Sequence, residues 1–144
     1  MAPKILVVDD EQDFLDLLSY DLRNSGFDIL TANTGMAGLN MARRHLPDVI
    51  LLDLQLPDID GLSVCEILRK QPSTARIPVV LVTAMSGEIV RANGVVSGAD
   101  HFLPKPLDRA AVCNCVEKVL RARDAQLEAE AAAPEGALPM SSRA

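Results

Sequence analysis

Three aspartates, one threonine and one lysine stand where short apolar runs end. Asp9 and Asp10 follow residues 5–8, Asp53 follows 49–52, Thr83 follows 78–82, and Lys105 comes just after 101–103. Carboxylates crowded together repel, and at least one is driven toward its neutral form unless a cation is present. Lys105 brings one positive charge, and a divalent ion would bring the rest. Oxygen-only donors with no histidine or cysteine among them select a hard cation, for which Mg²⁺ is the ordinary cellular choice. A carboxylate in such a setting can attack phosphorus and form an aspartyl phosphate, driven by positioning and charge neutralisation. Asp53 is the candidate nucleophile, and the Thr83 hydroxyl can donate to a phosphoryl oxygen. Taken singly, each residue has a plainer reading. Asp9 and Asp10 read as a solvated pair opening a helix, where acids are favoured. Asp53 reads as a turn residue and Thr83 as a β-branched strand end.

Convergence therefore depends on the elements that carry these residues. Ile5, Leu6, Val7 and Val8 form a short strand, after which Phe14, Leu17, Leu18 and Leu22 recur at helical spacing until Ser25 and Gly26 stop the helix. Residues 28–32 read as a weaker second strand. Thr34 is placed to cap a helix through Arg44, halted before Pro47. The third strand is 49–52. A loop over 54–61 leads into a helix from about Leu62 to Lys70, stopped before Pro72. Residues 78–82 form the fourth strand, and Ser86 can cap a short helix that carries Gly94 and ends near Gly98. Residues 101–103 form a fifth strand. Asp108 caps a last helix with Val112, Val116, Val119 and Leu120 on one face. The apolar runs are continuous rather than alternating, as in strands buried on both faces. Five strand-helix pairs imply a parallel sheet with right-handed crossovers and helices on both sides. In such a sheet the loops after the strand ends gather at one edge, where ligands bind.

Composition narrows the chemistry. The 144 residues fit one domain with a modest tail, and 49% of them are hydrophobic, enough for a core. The net charge of -6 argues against a broad nucleic-acid or anionic-membrane surface, and the absence of Trp argues against base-stacking platforms. Cys65, Cys113 and Cys115 are sparse and lack disulfide or zinc spacing, which suits a reducing cytosol. The first residues run straight into a strand without a leader pattern, and no apolar run reaches membrane-span length, so the expected location is cytoplasmic. His45 and His101 are single and are not expected to be ligands. After about Arg123 the sequence turns to Ala, Glu, Pro and Ser. Residues 125–133 can prolong the last helix, and beyond Pro134 a flexible tail is expected.

As a set, these residues resemble the receiver domains of two-component response regulators. The matching stretches are Asp9-Asp10-Glu11, the run from Leu52 through Asp53, Pro57, Asp60 and Gly61, Thr83-Ala84, and the run from Gly98 through Phe102, Lys105 and Pro106. The resemblance spans about residues 4–120. It implies a flavodoxin-like doubly wound (βα)5 sandwich with a parallel sheet in the order 2-1-3-4-5. It divides the chain into a receiver domain over 1–123 and a tail over 124–144. It implies that Asp53 is the phosphoacceptor, and that Asp10, Asp53 and the Gln55 backbone carbonyl ligate Mg²⁺ directly while Asp9 holds it largely through water. Lys105 would pair with Asp53 and then with the phosphoryl group. Thr83 and Phe102 would form a switch pair, and Lys105-Pro106 a cis peptide. Gln55 and Met85 stand where side chains tune dephosphorylation, Leu107 where an aromatic is frequent, and Pro104 stiffens the loop.

The implied function is a phosphorylation-driven switch that catalyses its own phosphorylation and dephosphorylation rather than an enzyme with a diffusible metabolite. Its partners would be a histidine kinase or histidine phosphotransfer protein and a downstream protein target. It would bind no nucleic acid itself and would be a monomer or a phosphorylation-dependent dimer. The usual interaction face would comprise the fourth helix, fifth strand and fifth helix. The stretch after residue 123 is not expected to form an output domain, which suits a stand-alone receiver or one excised from a longer regulator. Two other readings fare worse. A Mg²⁺-dependent phosphohydrolase generally wants an acid two residues beyond its nucleophile, and Gln55 stands there with an amide that cannot shuttle protons. A nucleotide- or flavin-binding module wants a Gly-rich loop after the first strand, where Asp9 and Asp10 stand instead.

Overall fold

The computed structural model describes residues 2–84, 93 and 97–132. Strands β1 (Lys4–Val8), β2 (Asp28–Ala32), β3 (Val49–Asp53), β4 (Val79–Thr83) and β5 (His101–Pro104) form one sheet. All pairings are parallel, and the order is β2-β1-β3-β4-β5. The expected doubly wound order is thus the order found. Helices α1 (Gln12–Asn24), α2 (Gly35–His45), α3 (Gly61–Lys70) and α4 (Arg109–Ala131) complete the described elements. The short helix expected from Ser86 through Gly94, together with Met85, lies outside the described residues.

The sheet sorts its side chains by the two-residue period of a strand. Ile5, Val7, Val49, Leu51, Val80 and Val82 point to one face, against Leu15, Leu18 and Leu22 of α1 and Val112, Cys115 and Val116 of α4. Leu6, Val8, Ile50, Leu52, Val79 and Leu81 point to the other, against Leu39 and Ala42 of α2 and Val64, Cys65 and Leu68 of α3. Every residue of β3 and β4 is buried, which explains their unbroken apolar runs. Edge strand β2 is only partly covered, which is why its pattern reads weakly. Each fully buried aliphatic side chain contributes roughly 1.5–3 kcal/mol, so two such faces dominate the stabilisation.

The helix ends follow from particular residues. Thr34 accepts a hydrogen bond from the Ala37 amide at 3.0 Å, Asp60 from the Ser63 amide at 2.9 Å, and Asp108 from the Ala110 amide at 3.0 Å. Gly26 ends α1 with φ +96°, a left-handed conformation that glycine adopts without strain. One detail departs from the expected pattern, and one, the prolonging of the last helix by the Ala- and Glu-rich stretch after Arg123, agrees with it. Leu17 is largely exposed, and Leu15 takes the core position, because Leu15, Leu18 and Leu22 share the face that meets the sheet. Helix α4 runs unbroken to Ala131, well past the composition shift at Arg123. Its far end is held by ion pairs from Arg76 to Glu130 and from Arg123 to Asp48, the latter at 3.0 Å.

Candidate functional site

Parallel strands deliver their C-terminal ends to one edge, and the polar residues that end them meet there. Asp9 follows β1 and keeps its amide in the ladder by donating to the Ala32 carbonyl at 3.1 Å. Asp53 is the last residue of β3, and the next amide, Leu54, donates to Val82 of β4 at 3.2 Å. Thr83 ends β4, and its carbonyl accepts from the Lys105 amide at 2.8 Å. Backbone pairing thus ties each of these strand ends to a neighbouring strand before any side chain is considered.

Asp9, Asp10 and Asp53 each present a carboxylate oxygen within 4.8 Å of the others. Asp9 and Asp53 are buried and Asp10 is exposed, so the cluster opens to solvent on one side. The Lys105 ammonium lies 2.8 Å from Asp9 Oδ2, 3.6 Å from Asp53 Oδ2 and 3.8 Å from Glu11 Oε1. Asp9 Oδ1 accepts from the Glu11 amide at 3.0 Å, and Asp53 Oδ1 from the Gln55 amide at 3.2 Å. Burial pushes the Asp53 carboxyl above its ordinary range. The Gln55 amide and the Lys105 charge pull it back, but Asp9 and Asp10 add to the rise. Burial acts against the Lys105 ammonium, yet its hydrogen bond to Asp9 and the charges of Asp53, Asp9 and Glu11 outweigh that and raise its pKa. The lysine therefore stays charged, while Asp53 is short of positive partners.

The remaining candidates stand on the same loops and strands. The Gln55 side chain is exposed, and its backbone follows directly on Asp53. Phe102 is half-buried in β5, opposite Leu81, and packs into the α2-α3 side of the core. The Lys105–Pro106 peptide bond is cis. His45 and His101 are not among the residues of the acidic cluster. Close packing also constrains the backbone of Asp53. A Cβ on Gly61 would come within 2.4 Å of the Asp53 carbonyl oxygen and 2.8 Å of Leu54 Cα. Two features had no clear signal in the sequence. The Phe14 ring lies 4.7 Å from the Lys105 ammonium, although the periodicity marks it only as a core residue. Asp58 caps α2 from 22 residues away, accepting from the Gly35 and Met36 amides at 2.8 and 2.9 Å.

The family model for the response regulator receiver domain matches residues 5–117. This chain belongs to that family. It is therefore a receiver domain of the two-component response regulators, a signalling module. It is 46% identical over 108 residues to the response regulator PleD of Caulobacter vibrioides, a match covering 75% of this chain and 24% of PleD. It is 40% identical over 121 residues to the alkaline phosphatase synthesis transcriptional regulatory protein PhoP of Bacillus subtilis, covering 84% of this chain and 50% of PhoP. The receiver domain thus spans a quarter to a half of these longer relatives. Among solved structures, a response regulator from Chloroflexus aurantiacus J-10-fl superposes with a TM-score of 0.80 at 29% identity, covering 84% of this chain and 99% of that one. The receiver domain of sensor histidine kinase PA1611 from Pseudomonas aeruginosa PAO1 superposes with a TM-score of 0.78 at 27% identity, covering 84% and 99%. That structure is described with a magnesium ion coordinated in its active site cleft.

Proposed function

We propose that this receiver domain takes a phosphoryl group onto Asp53 from the phosphohistidine of a histidine kinase or histidine phosphotransfer protein. The observation that carries the reading is the meeting of three carboxylates at the C-terminal edge of the sheet, two of which, Asp9 and Asp53, face the Lys105 ammonium. In the transfer, Asp53 Oδ forms a bond to phosphorus as the phosphorus–nitrogen bond to the donor imidazole breaks, and the imidazole leaves. Three clustered carboxylates with one ammonium beside them form an all-oxygen donor set short of positive charge, which suits Mg²⁺. Asp10, Asp53 and the Gln55 carbonyl would hold the ion directly and Asp9 largely through water. When bound, Mg²⁺ neutralises charge that builds on the phosphoryl oxygens. Lys105 supplies a second cation on the same oxygens. The Thr83 hydroxyl donates to the phosphoryl group, and the Phe102 ring turns inward to follow it, changing the outer face of β5.

Signalling follows from that change. A downstream protein reads the altered surface around β5 and α4, either on a monomer or on a dimer formed after phosphorylation. The receiver occupies residues 1–123, catalyses its own phosphorylation and dephosphorylation, and binds no nucleic acid itself. A cytoplasmic setting belongs to this reading, and the free thiols of Cys65, Cys113 and Cys115 support it. Among the described residues, no helix is long and apolar enough to cross a membrane.

The test is direct. Protein incubated with Mg²⁺ and acetyl phosphate should acquire one acid-stable, base-labile phosphoryl group. Asp53→Asn should abolish it, and so should a chelator. A label that survives either change would overturn the assignment of Asp53 and its metal.

A further inference from the structure

Lys105 is a flexible side chain with a compact charge on a four-carbon stem, and its work depends on where that charge sits. Hydrogen bonds alone do not confine it. Asp9 holds the ammonium at 2.8 Å, while Asp53 and Glu11 stand at 3.6 and 3.8 Å, and Glu11 is a largely exposed competitor. The remaining side of the ammonium is covered by an aromatic ring. Phe14 lies with its centroid 4.7 Å from Lys105 Nζ, well inside the distance at which the negative face of a ring attracts a cation. The ring is itself anchored, because Phe14 packs against the core shared by α1 and α4. It also forms a wall of a mostly apolar groove of about 490 Å³ that Lys105 borders, with Leu17, Leu18 and Leu107. The ring thus borders both that groove and the Lys105 ammonium.

The geometry points to Phe14 as a positioning residue for Lys105, its ring face holding the ammonium beside Asp53. A ring suits this task better than another carboxylate. It attracts the charge without claiming an N–H donor, so those donors stay available to Asp9, Asp53 and the incoming phosphoryl oxygens. A carboxylate in its place would add to the negative charge already crowded around Asp53. This role rests on the phosphoacceptor reading above.

Phe14→Leu keeps an apolar side chain but removes the ring, Phe14→Tyr keeps the ring, and mono-, di- and trifluorinated phenylalanine drain its face step by step at nearly constant shape. Labelling of Asp53 by acetyl phosphate should slow about three- to tenfold in Phe14→Leu. It should decline progressively along the fluorinated series and be retained in Phe14→Tyr, with thermal midpoints that do not follow the same order. In the unphosphorylated protein, the Lys105 ε-methylene proton signals should lie upfield from the ring current and move downfield in Phe14→Leu. Rates that follow side-chain volume or thermal midpoint rather than ring electron density would overturn the role. So would Lys105 signals indifferent to the ring. If wild-type protein labels normally and the variants match it, Phe14 alone loses its role. If wild-type protein takes no label, the phosphoacceptor reading falls and this role with it.

Discussion

A single missing carbon decides how closely the backbone of Asp53 can be held. Asp53 ends β3, and the chain must turn back within eight residues to begin α3 at Gly61. That return brings the Gly61 amide to the Leu54 carbonyl at 2.9 Å. It also presses the Gly61 Cα region against the Asp53 carbonyl, where a Cβ would stand 2.4 Å from oxygen. Backbone on both sides leaves no flexible atom to yield. Gly61→Ala should therefore destabilise the fold by about 1–3 kcal/mol, as overpacking does, despite the better helix propensity of alanine. Urea unfolding measures that loss. Because the displaced atoms belong to Asp53 and Leu54, phosphoryl labelling of the folded variant should slow as well.

Between elements, the loop after β3 is clasped to α2. Asp58 accepts hydrogen bonds from the Gly35 and Met36 amides, while Thr34 serves Ala37 one step further along. These are donors that a helix leaves unsatisfied at its first turn, and a carboxylate there also meets the positive end of the helix dipole. The Met36 and Gly35 amides accordingly hold the Asp58 carboxyl below its ordinary value of 3.8. A carboxyl with a lowered pKa in the folded state binds fewer protons than it does unfolded. Its stabilisation is present above the ordinary value and is lost as pH falls through the folded one. Asp58→Asn should remove that contribution. Its thermal midpoint should lie below wild type near neutral pH, and the gap should close as the pH falls below about 4. Melting curves across pH measure this, and a gap that is constant down to acid would contradict the clasp.

At the scale of the whole molecule, one guanidinium joins three segments at the edge of the sheet opposite the site. Arg69, in the last turn of α3, donates to the carbonyls of Gly98 at 2.8 Å, Ala75 at 3.2 Å and Ile77 at 2.6 Å, and it pairs with Asp100 at 2.6 Å. Asp100 in turn accepts from the Val79 amide at 2.8 Å. The entries to β4 and β5 are thus bound to one side chain, and those strands carry Thr83 and Phe102. Arg69→Ala strips several part-buried carbonyls of their donor and should cost about 1–3 kcal/mol of stability. Amide exchange at residues 97–100 should accelerate more than at β1 or β3. Uniform acceleration would mean that the brace serves global stability alone.

The sequence by itself determined the parallel sheet, because unbroken apolar runs such as 49–52 and 79–82 suit strands covered on both faces and their alternation with helical stretches requires crossover connections. It also marked the polar residues at the strand ends, since a charge that follows a buried run must find a partner or solvent. Helix starts were readable at Thr34 and Asp108 because capping is local chemistry. What it left undecided depends on contacts between residues far apart along the chain. Leu15 rather than Leu17 enters the core because the angle at which α1 docks on the sheet selects the face, and helical periodicity alone allows neighbouring choices. Asp58 clasps α2, Arg69 braces β4 and β5, and Phe14 covers Lys105 only once folding closes separations of 22 to 91 residues. Local pattern carries no record of such pairs, because each partner alone is an ordinary loop acid, helix-end arginine or core aromatic. Tertiary structure made them neighbours, and with that proximity came their energies.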